Sequence, residues 1–169
     1  MATAVAVPVV VALLVLIRVL GPDGSDAGDG AAAVTGATPA QRDESPVEVA
    51  TPPITAEADA ACPALMSQLP LDLVGDPSRR VASDSPYAYA WGDPATTLVC
   101  GIDQPVVPPD GLLVTVTDLT WWVDTSDPTV NVWRTVGRQA AVELRIPAST
   151  DGAAAAVLGP LIVGAIPAA

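Results

Sequence analysis

The chain has 169 residues, with 19 Asp and Glu against 7 cations, for a net charge of −12; it has no His, and every cation is Arg. Without His or Lys it cannot assemble a Ser-His-Asp or Cys-His centre, a Schiff base or a phosphate-loop lysine, and two Cys fall short of an ordinary structural zinc site. A pI near 4.1 argues against nucleic acid, whose phosphates need a basic patch. The all-Arg cation usage fits a high-GC bacterial genome.

Residues 2–20 are apolar except for Thr3 and Arg18. At about 1.5 Å per residue, such a run spans roughly 28 Å as a helix, close to one bilayer core. Arg18 lies near one end, where its long side chain can snorkel to the interface. A cleaved signal peptide would carry a basic start, a shorter apolar core and a small-x-small site soon after. Here no cation precedes the run, and the first Ala-x-Ala is Ala31–Ala33. Residues 1–20 therefore read as an uncleaved signal-anchor. Asp23, Asp26 and Asp29 follow it, which fits an N-terminus inside and the remaining chain outside. The expected location is the cell membrane, single-pass, with the C-terminal domain extracytoplasmic.

Residues 21–56 are rich in Pro, Gly, Ala and acids and have no hydrophobic period. Such a composition buries too little apolar surface to order itself, so it reads as an acidic linker. Its span is on the order of 30–36 Å. The acids of 21–30 fall three apart, not two, and no closing Glu follows, so a calcium loop is disfavoured.

Residues 57–169 form the candidate folded domain. Glu57–Leu69 reads as a helix, with Cys62, Leu65, Met66 and Leu69 on one face. Asp76–Asp84, with Arg79 and Arg80, reads as a solvated polar loop. Tyr87–Trp91 and Thr96–Ile102 flank Gly92-Asp93-Pro94 and predict a hairpin. Leu112–Thr117, Leu119–Val123, Val130–Thr135 and Gln139–Ile146 follow as alternating strands. In the last, Ala140, Val142, Leu144 and Ile146 point in while Glu143 and Arg145 point out. Ser149-Thr150-Asp151 caps a kinked C-terminal helix within the uncharged tail 153–169. The expected fold is α+β and two-layered. An antiparallel sheet of about five or six strands carries both helices on one face, preceded by one transmembrane helix.

Cys62 on the helix and Cys100 on an inward strand position are expected to form a disulfide. It would close a loop of about 38 residues, worth on the order of 3–4 kcal/mol. The alternative is a pair of reduced, buried thiols. No CxxC is present, so redox activity is not expected.

Cys62, Leu65, Leu69 and Pro70, then Trp91, Gly92, Pro94, Cys100 and Gly101, then Thr135, Gly137 and Arg138, together resemble the actinobacterial domain of unknown function 3515. The resemblance covers about residues 60–167. It implies a membrane-anchored envelope protein of a high-GC Gram-positive bacterium and implies no activity.

The candidate binding surface is Trp91, Trp122, Trp133, Arg134 and Arg138. If Val130 and Val132 face the core, Trp133 faces out beside Trp122, making an aromatic contact patch; the alternative is packing under a loop. Tyr87, Tyr89 and Trp91 share a face that is either core or surface. Arg134 and Arg138 flank Gly137, where they would clamp a carboxylate or phosphate or else pair with the protein's own acids. Asp93, Asp103, Asp110, Asp118, Asp124 and Asp127 all fall near turns, which is ordinary turn chemistry. The leading expectation is an extracytoplasmic binding or accessory module without cofactor or metal, whose partner is an envelope protein or wall component. The alternatives are a carboxylate enzyme acting on wall material and a subunit of a membrane complex recognised through its anchor.

Overall fold

The computed structural model describes residues 45–169. The expected anchor and most of the expected linker lie outside them. Among the described residues, no helix is long and apolar enough to cross a membrane.

Thr55 starts the first helix. Its hydroxyl accepts from Ala58 N–H at 3.2 Å, capping α1 (Ala56–Met66), and Glu57 and Asp59 sit in the first turn where the helix dipole favours acids. The helix begins well before Pro63 and continues through it. Ala58, Ala61, Cys62 and Leu65 form its buried stripe.

A strand β1 (Val47–Glu48) precedes the helix, inside the stretch expected to be linker. It pairs in parallel with β4 (Val81–Ala82). The end of that stretch is therefore part of the fold, tied down also by Arg79 donating to Ser45 O at 2.8 Å.

The remaining strands are β2 (Asp72–Leu73), β3 (Asp76–Arg79), β5 (Ala88–Trp91), β6 (Thr96–Ile102), β7 (Leu112–Val116), β8 (Leu119–Asp124), β9 (Val130–Thr135) and β10 (Ala141–Pro147). They join in one sheet of eight, in the order β2-β3-β5-β6-β10-β9-β8-β7, and every neighbouring pair is antiparallel. The sheet is thus larger than the expected five or six strands. The extra members, β2 and β3, are short and polar. β3 pairs with the edge that β5 presents and β2 with β3, and no alternation in their own residues signals it.

Residues 103–111 carry the chain from β6 to the far edge at β7, four strand positions away, or about 19 Å. Pro105, Pro108 and Pro109 favour the extended backbone this needs. From there β7 to β10 wind back to pair with β6. The β7–β8 turn has two residues, Thr117 (φ 47) and Asp118 (φ 62), both left-handed, as a two-residue hairpin requires. A β-branched residue there is strained. Thr117 is held against α2 (Ala153–Ala165) at Gly159, where any Cβ would collide with its hydroxyl.

Both helices cover one face of the sheet, as expected. α1 packs on β6 and on α2, and α2 packs on β7 and β8. The core between them includes Leu98, Leu119, Trp121, Val142, Leu144, Leu158 and Ile162. Cys62 of α1 is bonded to Cys100 of β6, with Cα atoms 5.8 Å apart. Gly101, at φ +89, follows directly, and a Cβ there would stand 2.6 Å from the Ala58 methyl. The helix sits this close because residue 101 has no side chain.

Candidate functional site: the outer face of the sheet

The face opposite the helices carries the polar ladder of the fold. Register places Val99, Glu143, Arg134, Trp122 and Leu113 in one row across β6, β10, β9, β8 and β7. A second row sets Thr97, Arg145, Val132 and Asp124 side by side. In β10 the alternation alone sends Glu143 and Arg145 outward. In β9 the pairing with β10 decides.

Arg134 Nε donates to Glu143 Oε2 at 2.8 Å, and Arg145 Nη1 lies 3.5 Å from Oε1 of the same carboxylate. The Arg134 guanidinium also covers the Trp122 ring, 5.1 Å from its centroid. Carboxylate, guanidinium and indole are therefore held in series, which restrains the rotamers of three long side chains. We expect Glu143→Gln and Arg134→Met to be coupled by about 1 kcal/mol in a double-mutant cycle read by urea denaturation, since both groups are largely shielded from solvent. Additive single effects would show that the pair does not restrain the face.

Two concavities border the ladder. One, of about 480 Å³, is lined by Pro108, Asp110, Leu112, Trp122 and Asp124. The other, of about 440 Å³, lies under the strap 47–50, with Thr97, Val99, Glu143 and Arg145 among its walls. Both are open depressions whose walls mix apolar side chains with carboxylates.

At the end of β8, Asp124 accepts from Ser126 N–H at 3.0 Å, and Asp127 accepts from Thr129 N–H at 2.8 Å and from its hydroxyl at 2.6 Å. These bonds hold both carboxyls below the ordinary value of 3.8, with the Ser126 backbone N–H the main cause for Asp124 and the Thr129 hydroxyl for Asp127. A lowered folded pKa stabilises the folded state above the unfolded pKa, and that contribution disappears as pH falls through the folded value. The β8–β9 turn should therefore loosen only below about pH 4. Amide exchange of residues 124–130 across pH 2–6 checks this; loosening near pH 6 would contradict it.

Of the five residues expected at a binding surface, the structure brings Trp122 and Arg134 together and separates the others. Trp133 is on the helix face, because its partners across the ladder are Leu144 and Val123. It packs edge-on to Trp121 at 6.0 Å. Among the described residues, neither of these two indole N–H groups has an acceptor; each costs about 1–3 kcal/mol of desolvation, offset by burial of the rings. Trp91 is fully buried on the same helix face, donating to Pro70 O at 2.8 Å and meeting the Tyr89 ring at 4.6 Å in a tilted contact. Tyr87 joins it there, its hydroxyl donating to Asp59 Oδ1 at 2.6 Å, a bond that raises the phenol pKa. The face shared by Tyr87, Tyr89 and Trp91 is therefore core. Arg138 donates to Ile166 O at 3.1 Å and fastens the C-terminal segment. Arg134 and Arg138 thus hold separate contacts and do not close on one anion.

The ladder adds Glu143 and Arg145, which strand alternation marks as outward but which no motif singles out. Their neighbours follow only from register. Asp110 and Asp124, ordinary turn acids by spacing, share a concavity with Trp122.

The family described as protein of unknown function (DUF3515) matches residues 3–169. The chain belongs to this family. The DUF3515 match reaches well beyond residues 60–167, where the sequence motifs lie, and takes in the N-terminal apolar run. No curated protein and no solved structure matches the chain.

Proposed function

We propose that this DUF3515 protein is a membrane-anchored, extracytoplasmic binding or accessory module of a bacterial cell envelope. The observation that carries this reading is the buried Cys62–Cys100 disulfide, joining the first helix to a central strand. Structural disulfides belong to oxidising compartments. The apolar run 2–20 supports the anchor by its length, and nearly all of it lies inside the family match. The outer face supports binding, because its carboxylate, guanidinium and indole are already ordered and meet a partner with little further loss of entropy. The high-GC, Gram-positive origin belongs to the same proposal.

Two experiments test it. A cysteine placed at Val106, 88 % exposed, should react with a membrane-impermeant maleimide in intact spheroplasts. Reaction only after lysis would reverse the topology. A photo-crosslinking residue at Trp122 should trap one dominant envelope protein or glycan in living cells, while one at Arg80 should not. Equal, diffuse adducts from both positions would remove the outer face from consideration.

The coverage of residues 3–20 by the family match also favours a second reading, in which the anchor itself recognises a membrane complex. A foreign anchor grafted in place of residues 1–20 separates the two. Function survives the graft if the outer face does the recognising and is lost if the anchor does.

A further inference from the structure

We propose that the free edge of β7 is a docking strand. Its occupant is an extended segment of a partner protein in which a short strand-forming run is flanked by cations. The proposal deepens the binding-module reading by naming a mode of contact and the chemistry of the partner.

β7 is the last strand of the sheet order, and among the described residues it pairs only with β8. Its sequence is Leu-Leu-Val-Thr-Val, with no charge and no proline. Leu112 and Leu113, on opposite faces, are each 53 % exposed. An edge of this kind is a template for another strand, and natural proteins usually blunt it with a lysine, a proline or a bulge. None of these interrupts residues 112–116.

The flanking charges choose the occupant. Asp110 and Asp118 bracket the strand at equal distance from Val114. Both acids lie in the turns that flank β7, so if two copies paired antiparallel about Val114, the turn carrying Asp110 of one copy would come near the turn carrying Asp118 of the other at both ends. Like charges brought near one another repel, and the net charge of −12 adds to it. The same two acids attract a strand with Arg or Lys at its ends. At the Asp110 end there is also a seat, since the cavity of about 480 Å³ unites Asp110, Asp124, Trp122 and Pro108. A long cationic side chain fits that combination of carboxylates with an apolar wall. One pair of acids thus rejects self-pairing and admits a complementary partner, the usual dual basis of specificity. Main-chain bonds to β7 supply the affinity, as in other strand-addition complexes.

The test uses the full chain in detergent and the nine-residue peptide Arg-Thr-Val-Thr-Val-Thr-Val-Thr-Arg, as long as the segment 110–118. A control peptide carries Asp at both ends. Hydrogen exchange and fluorescence anisotropy are the readouts. The Arg-ended peptide should slow exchange at residues 112–116 and bind about tenfold tighter than the control at low ionic strength, with the margin shrinking as salt rises. The double variant Asp110→Asn, Asp118→Asn should lose that preference. Asn tolerates the left-handed backbone at 118, so the hairpin is kept. Its β7 should also gain protection as protein concentration rises, through self-pairing. Equal binding of the two peptides, no added protection of the β7 amides that point away from β8, or slow exchange of those same edge amides in the free wild-type protein would each overturn the proposal. None of these results depends on which side of the membrane the domain occupies, so the topology assignment stands or falls separately.

Discussion

Replacing both Cys62 and Cys100 by Ala is expected to destabilise the domain by about 2–5 kcal/mol. The bond joins residues 38 apart. In the chain-entropy account its main effect is to restrict the unfolded chain, so its loss restores freedom to a long loop. A second effect lies in the folded state. Both sulfurs sit in the core, Cys62 fully buried and Cys100 1 % exposed, and two Ala leave a small void between α1 and β6. For a domain of this size the midpoint should fall by roughly 10–20 °C. Calorimetry with and without reductant measures it. The wild type in reductant should move toward the double variant only as the buried bond becomes accessible through unfolding. A double variant as stable as the oxidised wild type would show that packing alone fixes α1 on the sheet.

Gly101→Ala should cost a similar amount, about 2–5 kcal/mol, through two separable effects. The backbone at φ +89 lies where a side chain is strained by about 1–3 kcal/mol. The new Cβ also meets the Ala58 methyl at 2.6 Å, an overpacking worth about 1–3 kcal/mol. Adding Ala58→Gly removes the collision and leaves the backbone strain. The double variant should recover part of the loss, less about 1 kcal/mol for a glycine inside a helix. Chemical denaturation of the four proteins gives the cycle. A Gly101→Ala variant within 0.5 kcal/mol of wild type would mean that α1 moves away freely, and the close approach would then have no energetic weight. The two predictions share a cause, since the disulfide and the glycine are consecutive in β6 and both hold α1 against it.

Stability bears on the proposed function through the outer face. The ladder Glu143–Arg134–Trp122 is ordered only while β10, β9 and β8 stay in register, and that register is supported from behind by the core under α1 and α2. Variants that loosen the helix layer should weaken recognition without touching a residue on the recognising face.

How much was legible depended on the contrast between the two sides of each element. In β10, Val142, Leu144 and Ile146 alternate with Glu143 and Arg145, so the residues themselves state which side is buried. Cys62 and Leu65 do the same for α1, although Met66, read onto the same face, is half-buried and Leu69 lies beyond the helix end; Cys62 opposite an inward Cys100 made the disulfide an expectation. β9 carries no such contrast. Its Val132 is only 6 % exposed although it faces outward beside Arg145, and Trp133 goes inward; the hydrophobic residue on each side is equally at home, and pairing with β10 breaks the tie. The short strands β1 to β4 are two to four residues long, too short for alternation to show, and β3 reads Asp-Pro-Ser-Arg; they exist because neighbouring edges supply hydrogen-bond partners. Composition and local pattern thus determined the α+β class, the single-sided helix layer and the cysteine pair, all of which follow from burial of one face. Which aromatics are surface, which arginines meet which acids, and which strand is left at the edge depend on register and strand order. Those are set by contacts between residues far apart in the chain, which no local window contains.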